Sequence, residues 1–325
     1  YYVISDQETY EFGCRVIVGE FTRDDIVYTG QATLSNVEFA NCGQRGFTED
    51  YDPRYSLVFL NVGNAGRESS VTHCSFNYNY NTAIGVYGTN ELVSEGNVVY
   101  RAFGKGIEDA GTGNKWHHNL VSYVIYEGIH LNQPTNFNFH ACFQMEKAYK
   151  PEMIGNIAAG CERGGIMTEG EPCDTSGDWI SSSMPWHGNE AHGTMHGVRS
   201  HTKTSHKYGQ QCASFKNFLV WQAYDYGIYL QTLDNIEVKD NIVLDSAIGL
   251  LTVPFGPASL SHKWTEKYVL VNDSLFVGTT DGFDCNSSPP ITHNSQPGNW
   301  PHGGLIRNQG IVFPSFGSKG KSSVY

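Results

Sequence analysis

The sequence predicts an all-β chain wound into a right-handed parallel β-helix of about ten coils with loop insertions. Three observations carry this reading. An asparagine or aspartate is followed eight to ten residues later by a glycine with an apolar residue straight after it, and the pattern recurs along the chain. With 36 glycines and 19 tyrosines in 325 residues, of which 17% are charged, the composition favours strands broken by turns. No long Leu/Ala/Glu/Lys stretch suggests a helix.

The repeat pairs are Asn36/Gly46, Asn77/Gly85, Asn97/Gly106, Asn119/Gly128, Asn156/Gly165, Asn189/Gly197, Asn217/Gly227, Asn241/Gly249 and Asp273/Gly282. Successive glycines lie 21 (85 to 106), 22 (106 to 128) and 22 (227 to 249) residues apart, with gaps of 39, 37, 32, 30 and 33 elsewhere. A unit near 22 residues is too short for a propeller blade and lacks leucine-rich-repeat spacing. It suits one coil of three short strands and three turns. The residues after the glycines, Phe47, Val86, Ile107, Ile129, Ile166, Val198, Ile228, Leu250 and Phe283, form one inward ladder in this reading. Coils stack about 4.8 Å apart, so the recurring asparagines form a turn ladder that satisfies buried backbone groups.

Residues 1–30 read as a first coil or the remnant of a preceding domain, 31–285 as the repeats, and 286–325 as a Ser/Pro/Gly-rich insertion with a terminal coil or cap. Insertions fall at 134–151, 171–188, 199–211, 254–264 and 286–304. In solenoids these become flanking loops, where function tends to sit.

The chain has 33 acidic and 21 basic residues, a net charge of −12, and no Lys/Arg run. Nucleic acid and anionic membrane therefore lack their electrostatic footprint. No run reaches the roughly 18 apolar residues of a spanning helix, so any anchoring segment is expected outside these residues. Eight cysteines without a C-x-x-C pair favour disulfides over zinc or thioredoxin chemistry, with buried free thiols as the alternative. Cys161 and Cys173 bracket a Gly-rich segment and are the first pair expected. The sequons at Asn272 and Asn286 agree with a secretory route.

Two residues past each repeat glycine lies an outward row: Thr48, Tyr87, Glu108, His130, Met167, Arg199, Tyr229, Leu251 and Asp284. Glu108 beside His130, flanked by Tyr87, Arg199 and Tyr229, is the expected saccharide-facing or weakly catalytic set, and it equally describes a solvated sheet. Glycosidases need two carboxylates about 5 to 9.5 Å apart, and this row supplies none beside Glu108. His192, His196, His201 and His206 are spaced for a metal site or for a plain polar loop. Trp179 and Trp186 bracket an insertion and either bind a partner or anchor the loop. No nucleophile elbow, phosphate loop or dinucleotide motif occurs. No cofactor is implied, and calcium is the one ion left open.

The runs 52–63 (DPRYSLVFLNVG), 82–89 (TAIGVYGT), 113–120 (GNKWHHNL), 170–173 (GEPC), 188–192 (GNEAH) and 257–263 (PASLSHK) followed by 274–278 resemble the β-helix region of the fibrocystin and fibrocystin-like family. The resemblance implies a rigid block within a very large secreted or single-pass surface protein of cilia or cell coats. The same region resembles that of cell-surface hyaluronidases. Those relatives carry a His-x-His pair followed by Asp in the strand matching 55–64, where this chain reads YSLVFLNVGN. Leucine and phenylalanine can neither bind metal nor move protons. The expectation is a non-catalytic extracellular module at the cell surface that contacts a protein, a glycan or neighbouring modules of its own chain. The alternative is a polysaccharide hydrolase or lyase.

Overall fold

The computed structural model describes residues 2–4, 11–46, 53–125, 140–172, 186–201, 212–232, 235–254, 268–278, 309–312 and 321–324. They form a parallel β-helix. A regular coil contributes one strand to each of three faces, as in Val93–Glu95, Val98–Phe103 and Ile107–Ala110. One face is a ten-stranded parallel sheet. The second, the long sheet, has ten parallel strands and an antiparallel eleventh, Ile26–Thr29, at its edge. The third face is divided into two five-stranded sheets. The first ends at Glu152–Ile154, and the second begins with Glu171–Pro172, which pairs antiparallel with Cys212–Lys216. The division falls at the 171–188 insertion, where the next coil adds only a single bridge, Ile154 to His187.

Side chains alternate along a strand, so equivalent residues pile into rows. On the ten-stranded sheet Phe39, Phe76, Val99, Val121, Ala158, Ala191, Val220 and Val243 succeed one another in register. On the long sheet the row runs Leu57, Ile84, Ile107, Phe143, Ile166, Val198, Ile228 and Leu250. Of the expected inward residues Val86, Ile107, Ile166, Val198, Ile228 and Leu250 are all fully buried, whereas Phe47, Ile129 and Phe283 lie outside the described residues. Phe143 occupies the place next to Ile107 that the period assigns to Ile129, because this coil is lengthened beyond 22 residues. Val86 opposes Asp109 rather than Ile107, a two-residue offset between the glycines of these coils.

One corner places Asn36, His73, Gly96, His118, Gly155, Gly188, Asn217, Asp240 and Asp273 in the left-handed region, with φ between 46° and 66°. Asn, Asp, His and Gly tolerate that conformation. The residue after it points inward. There Asn97, Asn119, Asn156 and Asn189 stack, each side-chain carbonyl accepting from the backbone N–H of the preceding coil at 2.9–3.1 Å. The expected ladder therefore exists, but Asn36, Asn217 and Asp273 are its turn residues rather than its rungs. Phe218 interrupts it, and Asn241 resumes it by accepting from the Phe218 N–H at 2.9 Å. At Gly197 and Gly227 an added Cβ would lie 2.3 Å and 2.2 Å from valine methyls of the neighbouring sheet. The repeat glycines thus let one strand press onto another.

Disulfides join Cys14 to Cys42 and Cys142 to Cys161, and Cys74 is a buried free thiol. Cys161 therefore pairs with Cys142, which lies on the long-sheet strand Ala141–Met145 of the preceding coil, with Cα atoms 6.0 Å apart. Cys173 lies outside the described residues. One apolar core extends from Val18 to Val271.

Candidate functional site

The outer face of the long sheet carries two buried charged residues, Glu108 and Arg199. Its register runs Val58, Gly85, Glu108, Gln144, Met167, Arg199, Tyr229 and Leu251. Gln144 therefore stands beside Glu108 where His130 was expected, and His130 is outside the described residues. Tyr87 opposes Ala110 instead of Glu108, yet its hydroxyl reaches back to donate to Glu108 at 2.6 Å. Tyr55 donates to the same carboxylate oxygen at 2.5 Å, and its ring fits because Gly85 has no Cβ, which would lie 2.2 Å from it. Lys105 Nζ meets the other oxygen at 2.6 Å.

Glu108 is 2% exposed. Burial alone would raise its pKa, but Lys105 and the two tyrosine donors outweigh that and hold it at about 2. The same burial and the neighbouring carboxylate push Tyr55 well above its ordinary value. His140 is lowered to about 4 by burial and by the Lys105 charge. Glu146, two residues beyond Gln144 and accepting from its amide at 2.9 Å, is raised to about 7 by burial, with Glu169 adding to the rise and Arg199 opposing it. Two carboxylates on one face thus titrate far apart, the pattern by which acid and base roles separate.

Further along, the Arg199 guanidinium lies over the Tyr229 ring at 5.1 Å, and both residues are 2% exposed. Burial lowers Arg199 to about 10 and raises Tyr229 to about 12. His196 belongs to the same group, 3.5 Å from Asp225 and stacked on Tyr229 at 5.9 Å. Adjacency of Arg199 and Tyr229 matches the sequence reading, but these groups face one another and not water.

The other candidates separate. His192 lies on the ten-stranded sheet, stacked on Trp221 at 4.1 Å and 2.9 Å from Glu190. His196 and His201 lie on the strand His196–His201 of the long sheet, so His192 and His196 do not converge, and His206 is outside the described residues. Among the described residues no group of three His, Cys, Asp or Glu side chains is placed to hold a metal. Trp186 is a core residue, 1% exposed, donating to the Pro151 carbonyl at 2.7 Å and packing edge-on against Phe218. Trp179 and Asn286 are outside the described residues. Asn272 is partly exposed, while the Ser274 hydroxyl of its sequon continues the internal ladder by accepting from the Asn241 N–H at 3.1 Å.

Sequence reasoning missed Tyr55, Lys105, His140, Gln144 and Glu146. Lys105 carried a signal, three residues before Glu108. His140, Gln144 and Glu146 become neighbours only once the lengthened coil fixes the register, and Tyr55 reaches Glu108 across the intervening Gly85 strand.

The family model described as CEMIP beta-helix matches residues 25–207, more than half of the chain. The chain belongs to this family. Its relatives include human fibrocystin-L, 32% identical over 94% of the chain, mouse fibrocystin-L at 32% over 94%, and dog fibrocystin at 27% over 94%. The chain spans 7% of the length of each. The family match covers the coils that carry Tyr55, Glu108, Glu146 and Arg199. No described helix is long and apolar enough to cross a membrane.

Proposed function

We propose that this chain is a non-catalytic structural and interaction module in the extracellular part of a large fibrocystin-like surface protein. The supporting observation is the state of Glu108: both carboxylate oxygens are engaged, by Lys105 on one side and Tyr55 and Tyr87 on the other, inside a covered face. A carboxylate held at about 2 is a weak base and no acid at neutral pH. One continuous core with stacked amide ladders makes the unit a stiff spacer between other parts of a long protein. Disulfides and the Asn272 sequon accord with a secreted setting.

One observation favours a second reading, a polysaccharide hydrolase or lyase. Glu146 at about 7 and Glu108 at about 2 share a face. Their Cα atoms are separated by one strand spacing and two residues along the strand, about 8 Å. The test of both is incubation of the purified chain with hyaluronan and other glycans, with and without calcium, followed by chain-length analysis. Unchanged chain lengths are expected. Depolymerisation lost on Glu146→Gln would establish the enzyme instead.

A further inference from the structure

Among the described residues, the hairpin formed by Val16–Arg23 and Ile26–Thr29 is the one part of the long sheet whose outer apolar side chains are largely exposed. Only Val16 to Gly19 pair with the next coil, and Glu20 to Arg23 pair solely with Ile26–Thr29. All residues from Glu20 to Thr29 are exposed. Val18 points into the core, so alternation puts Ile17, Phe21 and Arg23 on the outer side, joined there by Tyr28 and Ile26, their cross-strand partners. Phe21 and Tyr28 stack at 5.0 Å, and Ile17, Phe21, Ile26 and Tyr28 are 52%, 59%, 56% and 44% exposed. A lone two-stranded hairpin is marginal in water. Its edge strand Ile-Val-Tyr-Thr carries no charge, proline or bulge to discourage pairing.

We propose that this edge accepts an extended strand from another part of the same polypeptide, whose apolar side chains cover Ile26 and Tyr28 and extend the long sheet outward. The proposal rests on the reading of the chain as one module of a larger protein. A second copy is the weaker occupant. Four side chains and a four-residue edge offer far less than the roughly 1,200–2,000 Å² of a standard bimolecular interface, and copies of net charge −12 repel. A tethered segment needs no such area, because its effective concentration is set by the tether. Relatives in which this region is 7% of the length hold ample chain to supply it.

Hydrogen exchange tests this by comparing the natural full-length protein with the 325-residue chain alone. The amides of Ile26–Thr29 should exchange at least about tenfold more slowly in the full-length protein. A natural protein no longer than this chain would overturn the module reading itself. Equal exchange within a longer protein would overturn strand addition and leave the module reading standing. In the full-length Ile26→Lys/Tyr28→Lys variant the protection should vanish while the core amide of Ile228 stays protected. Persistent protection would show that the apolar strip is not the contact. Sedimentation of the 325-residue chain should give a monomer at all concentrations, and a dimer abolished by the same variant would name a second copy and overturn the proposal.

Discussion

Tyr229 and Tyr28 both stand on the outer side of the long sheet, one 2% and the other 44% exposed. Around Tyr229 the face is a closed network: a guanidinium over the ring, a histidine stacked beside it and Leu251 in the next coil. Around Tyr28 there is one stacked phenylalanine and water. The same β-branched and aromatic chemistry is therefore held in two ways. In the middle of the sheet the outer groups contact one another, and Glu108 stays charged there because it is paired with Lys105. At the hairpin end no described charged residue is buried, and no described residue covers the apolar strip.

Removing a member of the closed network should have the largest effect. Glu108→Ala leaves the Lys105 ammonium and two tyrosine hydroxyls without their acceptor, and a broken buried pair costs about 3–5 kcal/mol. Urea unfolding should show a loss of that size, and a loss below about 1 kcal/mol would mean the cluster is open to water. Next come the two tyrosines themselves. Tyr229→Ala should cost about 3 kcal/mol, while Tyr28→Ala in the 325-residue chain should stay within about 0.5 kcal/mol. Equal costs would erase the distinction between the two regions.

The smallest effect is one of pH. Glu146, at about 7 against an ordinary 4.5, binds its proton more tightly folded than unfolded. Its ionisation destabilises the fold, so its contribution improves as pH falls from about 7 to about 4.5. His140, lowered to about 4 from 6.5, binds its proton less tightly folded, and its contribution is lost as pH falls from about 6.5 to about 4. The two oppose across the shared window. Glu108, held at about 2, adds stability that is present above about 4.5 and lost as pH falls toward 2. The stability of the native chain relative to Glu146→Gln should therefore rise as pH is lowered from about 7 to about 4.5. A thermal-melting difference that does not change over that range would show Glu146 to be solvated.

Periodic features were legible without coordinates. The glycine and asparagine spacing predicted the β-helix, the inward residues Ile107, Ile166, Val198, Ile228 and Leu250, and the amide ladder at Asn97, Asn119, Asn156, Asn189 and Asn241, because each depends on residues that recur along the chain and obey the alternation of a strand. The fibrocystin resemblance followed from short runs in the coils and in their insertions. Tertiary structure alone decided what stands next to what across the lengthened coils. It put Gln144 rather than His130 beside Glu108, joined Cys142 to Cys161, placed Trp186 under Phe218 in the core and sent His192 and His196 to different sheets. The physical reason is that register between coils is fixed by backbone hydrogen bonds between strands remote in sequence. An insertion of any length can sit between two such strands, so the chain's arithmetic stops predicting neighbours where its period breaks.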